Sequence, residues 1–117
     1  MPVPTEITLH QASKVMELAF EDGRRFSLPF ELLRVYSPSA EVRGHGPGQE
    51  TLQVGKKHVQ VTGVEPVGTY AIQPQFSDGH NTGIYSWDYL YELGMKQEAK
   101  WADYLARMEK AGASREP

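Results

Sequence analysis

Cysteine is absent from the 117 residues, which removes disulfides, thiolate metal ligands and cysteine nucleophiles together. The fold must therefore hold by packing, and a single domain of this length can bury a sufficient core. Long apolar runs are missing too. No stretch approaches the roughly 20 residues that cross a bilayer, and no basic segment followed by an apolar one opens the chain, so a soluble, cytoplasmic protein without a membrane partner is expected. Surplus positive charge is a third absence. Twelve Lys/Arg against fifteen Asp/Glu leave a net charge of −3, which disfavours a nucleic-acid partner because phosphate binding draws on a clear basic excess. Residues 1–60 carry seven bases and seven acids, so all the excess acid lies beyond them. Arg24, Arg25, Lys56 and Lys57 read as solvated charges.

Nucleophile motifs and dinucleotide fingerprints are also missing. Gly44-His45-Gly46-Pro47-Gly48 has the glycines of a phosphate cradle, but Pro47 removes an amide donor and no helical pattern follows. The segment from Ser37 to Gly55 reads as a long exposed loop, and loops of that length in compact domains tend to carry function.

What the chain does hold is a motif written twice. Phe20-Glu-Asp-Gly23 and Phe76-Ser-Asp-Gly79 each place Asp-Gly, a strong tight-turn signal, after an alternating segment. Before the first turn, Met16, Leu18 and Phe20 share one face of a strand; after it, Phe26 and Leu28 alternate with Arg25 and Ser27. Pro29 suits the start of a short helix, Phe30–Arg34, with Glu31 near its positive end. Ile7–His10, Lys57–Thr62 and Tyr70–Phe76 read as further strands, Val64–Gly68 as a turn or bulge, and Pro74 demands an edge position or a bulge. Ser86 caps a helix starting at Trp87, Gly94 breaks it, and Met95–Glu109 continues with Trp101, Tyr104, Leu105 and Met108 on one face and Lys96, Lys100, Arg107 and Lys110 largely opposite. Met1–Pro4 and residues 113–117 are expected to be loose or disordered tails. The fold class is α+β: a mostly antiparallel sheet built from Asp-Gly hairpins, a short helix after each, and a C-terminal helix. The domain spans residues 5–94, with a helical extension over 95–112.

The four histidines are scattered, with no pair at helical ligand spacing. A metal site would need His80 with His45 and an acid such as Asp78 or Glu41, gathered by the fold. Asp22 and Asp78 already have roles in their turns. Among the aromatics of residues 85–91, Trp87 and Tyr91 share a helix face; a small-ligand pocket would draw on Tyr70, Tyr85 and Trp87.

The ordered set Phe20-x-Asp-Gly23, Leu33-Arg34, Ser37-Pro-Ser-Ala-Glu41, Val67-Gly-Thr-Tyr70 and Phe76-x-Asp-Gly-His80 resembles a family of small domains named after the N-terminal domain of gamma-butyrobetaine hydroxylase. In that hydroxylase the domain precedes a separate iron- and 2-oxoglutarate-dependent catalytic domain; none follows here, so hydroxylase activity is not expected. The hydroxylase domain holds zinc through three cysteines and a histidine. The resemblance puts Ser37, Ser39 and Val42 at the cysteine positions and His80 at the fourth. Serine is a poor zinc ligand at neutral pH and valine is none, so these are vestigial zinc-site positions and no zinc cofactor is expected. Related domains occur fused to ATPases that carry iron–sulfur clusters, which implies a docking role in cluster assembly, since a chain without cysteine cannot ligate a cluster in the usual way.

The function expected is a non-catalytic interaction or accessory module of bacterial type, docking a protein partner through Arg34, Arg43, His45, His80 and Tyr85. The alternative is a metal-binding protein, with enzymatic activity in one version, using His80, His45 and Asp78.

Overall fold

A computed structural model of the chain describes residues 2–44 and 50–117. His45, and the glycines at 46 and 48, lie outside the described residues. Two three-stranded antiparallel sheets account for the strands: β1 (Pro4–His10), β2 (Val15–Phe20) and β3 (Arg25–Pro29) in that order, and β4 (Val61–Val67), β5 (Ala71–Phe76) and β6 (Tyr85–Ser86) in theirs. The helices are α1 (Phe30–Val35), α2 (Ala40–Arg43), α3 (Trp87–Met95) and α4 (Gln97–Ala111). The architecture is α+β, with antiparallel pairing divided between two sheets.

The two Asp-Gly turns are built alike. Gly23 and Gly79 take φ of +90° and +89°, a region that only glycine enters without steric cost. Gly23 donates to the Phe20 carbonyl and Phe20 to that of Arg24; Gly79 donates to Phe76 and Phe76 to His80. In each, the aspartate also accepts from the amide two residues on, Arg24 at 3.0 Å and His80 at 3.1 Å. The first turn joins β2 directly to β3. The second opens into residues 80–84 before the two-residue β6 returns to pair Tyr85 with Ile72.

Met16, Leu18 and Phe20 of β2 are all buried, as their alternation requires, and join Leu28, Phe30, Leu33, Ile72, Phe76, Tyr85, Leu90 and Leu93 in one core. Pro29 precedes α1, and Ser86 caps α3 by accepting from the Tyr89 amide at 3.1 Å. Pro74 stands on the nominally central strand opposite Val64 of β4, yet β6 covers only Ala71 and Ile72, so on its other side the proline has an open edge.

Several expectations are corrected. Residues 57–60 are not strand; β4 begins at Val61 and runs to Val67, through most of the Val64–Gly68 stretch read as a turn or bulge, with a register shift earlier, between Val61 and Gly63. The loop after Ser37 contains the one-turn α2. Pro4 belongs to β1, and Val3 accepts from the Glu21 amide. Leu105 is 39 % exposed, outside the α4 stripe of Tyr104 and Met108. Residues 113–117 are docked instead of loose: the carbonyls of Ser114 and Arg115 accept from the Gly55 and Lys57 amides, and Arg115 forms two hydrogen bonds, 2.7 and 2.8 Å, to the buried Glu31 carboxylate. A charge-assisted bidentate pair of this kind is what allows Glu31 to be buried.

Gly94 has a packing role. A Cβ there would stand 2.3 Å from Cγ of Phe26, so the glycine lets α3 lie directly on β3. The substitution Gly94→Ala is expected to destabilise by about 1 kcal/mol in urea unfolding, because overpacking of about 1–3 kcal/mol outweighs the roughly 1 kcal/mol that helix propensity favours alanine. A stabilised variant would show that Phe26 yields freely.

Candidate functional site

Behind the second Asp-Gly turn lies a buried polar cluster. His80 has its side chain only 3 % exposed. Its Nε2 is 2.8 Å from Ser37 Oγ and 3.3 Å from Ser39 Oγ, and its Nδ1 is 3.4 Å from a carboxylate oxygen of Glu41. A carboxylate only accepts, so Nδ1 carries the proton and Nε2 accepts from the Ser37 hydroxyl. Burial, and secondarily the nearby Arg34 guanidinium, hold the imidazole below the usual histidine range, while Glu41 and Asp78 pull weakly the other way. The ring is neutral at pH 7. Ser37 Oγ reaches this position because residue 83 is glycine: a Cβ there would meet it at 2.5 Å.

Asp78 faces away from the imidazole. One oxygen takes the His80 amide; the other takes Arg34 Nε at 2.8 Å and Lys56 Nζ at 2.5 Å. Burial raises its carboxyl, but the Lys56, His80-amide and Arg34 hydrogen bonds overcome this and lower it to about 2. Arg34 is itself buried, with Nη1 lacking a hydrogen-bond partner among the described residues. Tyr85 is fully buried and donates to the Leu33 carbonyl. Of the expected partner surface, among the described residues Arg34, His80 and Tyr85 are therefore interior and Arg43 is exposed; spacing along a sequence does not reveal which polar side chains a turn folds inward. The pocket expected from Tyr70, Tyr85 and Trp87 does not form as such: Tyr70 is 57 % exposed and Tyr85 fully buried, and the Trp87 indole donates to the Thr69 carbonyl.

As metal ligands these groups divide. Ser37, Ser39 and His80 converge, and Val42 is buried on α2 close by in the chain. Two protonated hydroxyls and one imidazole are not a zinc donor set. Asp78 is committed to two cations, and no group of three His, Asp or Glu suited to a metal is found among the described residues.

On the other side of α2 is an open cleft of about 580 Å³, lined by α2, by residues 50–53, and by α3 and α4. Val35, Val42 and Leu52 supply carbon, and Tyr36, Tyr89 and Tyr104 supply rings. Arg43 lies over the Tyr89 ring at 4.9 Å, and Lys100 and Arg107 lie over Tyr36 at 5.1 and 5.7 Å. Hydrogen bonds fix the rings: Tyr89 donates to the Tyr36 carbonyl, Tyr36 to that of Lys100, and Tyr104 to that of Gln53. Sequence reasoning put Lys100 and Arg107 on a solvated face. Their spacing of four and three from Tyr104 was the available signal, since it places both beside the buried stripe.

Asp78 ties this site to the pH dependence of stability. Its depressed carboxyl contributes stability that is present above the unfolded value near 4 and is lost as pH falls through about 2, a loss of about 1–2 kcal/mol once partial exposure is discounted. The substitution Asp78→Asn is expected to cost about 2 kcal/mol at pH 7, by leaving Arg34 buried without a counter-charge, and to flatten the loss between pH 4 and 2 in urea unfolding. An unchanged acid slope would assign that loss elsewhere.

The family model described as gamma-butyrobetaine hydroxylase-like, N-terminal, matches residues 7–91. Two NMR solution structures are similar to the whole of this chain, each with a TM-score of 0.86; one is 50 % identical with 92 % of its own length covered, the other 49 % with 87 %. A crystal structure of a protein of unknown function from Acidithiobacillus ferrooxidans is 46 % identical over 78 % of this chain and 91 % of that one, with a TM-score of 0.66. No curated protein matches the sequence. The family match takes in both Asp-Gly turns and the serine–histidine cluster between them, and on that span the chain belongs to the gamma-butyrobetaine hydroxylase-like, N-terminal family.

Proposed function

We propose that this protein is a non-catalytic docking module that holds a protein partner in the cleft between α2, α3 and α4. The observation that supports this reading best is the placement of Arg43 and Lys100 on tyrosine faces in an open, carbon-lined cleft, with no carboxylate within ion-pair distance of either among the described residues. Aromatic and arginine side chains fixed by their neighbours are the anchors that dominate protein interfaces. The hydroxyl and imidazole with catalytic potential are buried, while the Glu41 carboxylate is exposed. Ser37, His80 and Glu41 follow one another as hydroxyl, imidazole and carboxylate, but Ser37 is 1 % exposed and packed on Gly83, whereas a nucleophile needs an approach for its substrate. The association with iron–sulfur ATPases that the family resemblance implies supports a partner from cluster assembly, where a chain without thiolates contributes docking. A photo-crosslinking residue at Thr51, on the cleft wall, is expected to trap a discrete partner that Arg43→Glu combined with Lys100→Glu releases. Trapping that ignores the charge reversal, or no trapped partner, overturns the reading.

A second proposal rests on the convergence of two hydroxyls on His80 Nε2. The cluster keeps the frame of a metal site whose thiolates have been replaced, and the chain as it stands holds no structural zinc. Changing Ser37, Ser39 and Val42 to Cys together is expected to give one equivalent of tightly held zinc, or a tetrahedral cobalt spectrum, lost when His80→Ala is added. Failure to take up metal would mean that the frame does not survive. Stoichiometric metal in the untagged native protein, lost in His80→Ala, would favour metal binding by His80 with His45 and Asp78 instead.

A further inference from the structure

The docking reading leaves open what the cleft grips, and the following rests on that reading. We infer that its occupant is an acidic peptide segment of the partner, with one or two Asp or Glu carboxylates set beside an apolar side chain.

Charge placement carries the inference. Arg43 and Lys100 are held against ring faces, and neither has a carboxylate within 4 Å among the described residues. Arg107, the third cation of the cleft, lies 3.2 Å from Asp103 through Nε, but that buried nitrogen makes no hydrogen bond. Ring stacking leaves the edge of a guanidinium open to a carboxylate, and a side chain already immobilised loses less entropy when it binds. The carbon walls and tyrosine rings beside these cations give the neighbouring residue of a bound segment an apolar seat.

The same lining argues against a polyanion. Glu50 and Glu92 stand on the cleft with the three cations, so three positive and two negative charges leave it only one positive. The whole chain carries −3. A nucleic acid or a run of phosphates meets repulsion from those two glutamates, whereas a segment with one or two carboxylates can pair with Arg43 and Lys100 and stay clear of them. Openness to solvent suits a chain that passes through the cleft.

A selection of random unmodified twelve-residue peptides on the immobilised full-length protein tests this, with the Arg43→Glu, Lys100→Glu double variant as counter-selection. Arg43 is exposed and Lys100 half-buried, and matching melting temperatures establish that the variant folds. The expected outcome is enrichment of Asp and Glu next to an aromatic or branched residue, with binding that weakens at least tenfold in the variant and tenfold again when the selected carboxylates become amides. Selection of neutral or basic peptides, equal binding of the amide form, or no selected peptide at all overturns the inference. So does tighter binding of phosphopeptides than of their Glu counterparts. If crosslinking at Thr51 still traps a charge-sensitive partner while no acidic preference is found, the docking reading stands and only its chemistry is wrong. If neither is found, both fall.

Discussion

The carboxylate of Asp78 ties the second turn both to α1 and to the segment before β4. It closes its own turn through the His80 amide, neutralises Arg34 of α1, and takes Lys56 from the segment leading into β4. Arg34 has an additional unpartnered Nη1, and an orphaned buried donor costs about 1–3 kcal/mol. The Asp78 pair has to offset that, so this one turn aspartate decides whether α1 can keep a guanidinium in the interior. With Arg34 and the turn fixed, the His80 ring points away from the carboxylate and into the segment after α1.

The consequence passes outward by contact. His80 accepts from Ser37 and touches Glu41, and Ser39 begins α2. A four-residue helix has too few internal hydrogen bonds to persist by itself, so α2 owes its place to the imidazole beneath it and to the buried Val42. Arg43 is the last residue of α2, and its position over Tyr89 follows from this anchoring. The cleft and the buried cluster are thus one construction: polar groups inside hold the helix, and the helix presents a cation outside. The hydroxyl–imidazole contacts fix the approach of residues 37 and 39 to residue 80.

Local signals were legible wherever one residue type sets a conformation by itself. Asp-Gly fixed both turns, Pro29 preceded α1, Ser86 capped α3, and the alternation of Met16, Leu18 and Phe20 found the inner face of β2. Legibility failed where tertiary contacts decide. Residues 57–60 alternate like a strand, yet the pairing with β5 starts at Val61, because register is set by the partner strand. α2 has too few residues to show a period. Arg115 reads as part of a fraying end, and only the folded chain reveals that Glu31 needs it. In the candidate site, the convergence of Ser37, Ser39 and His80 came from the family resemblance, while the ring-stacked Lys100 and Arg107 were missed because lysine and arginine on an amphipathic helix ordinarily face water.

The twin turns show how one local motif acquires different work. Both present an aspartate oxygen to the amide two residues on, and in both the second oxygen is free for a partner. At the first turn that partner is Tyr91 of α3, whose hydroxyl donates at 2.7 Å, and its ring packs edge-on with Phe20 and Phe26. Arg24, following Gly23, stays at the surface with its side chain 54 % exposed. At the second turn the partners are Arg34 and Lys56, and the corresponding residue, His80, is buried. The difference lies in what packs beneath: an aromatic layer under the first turn leaves no room for another side chain, whereas the small residues Ser37, Ser39 and Gly83 leave space for an imidazole under the second. Enlarging any of those three acts on His80 first, and through α2 on Arg43.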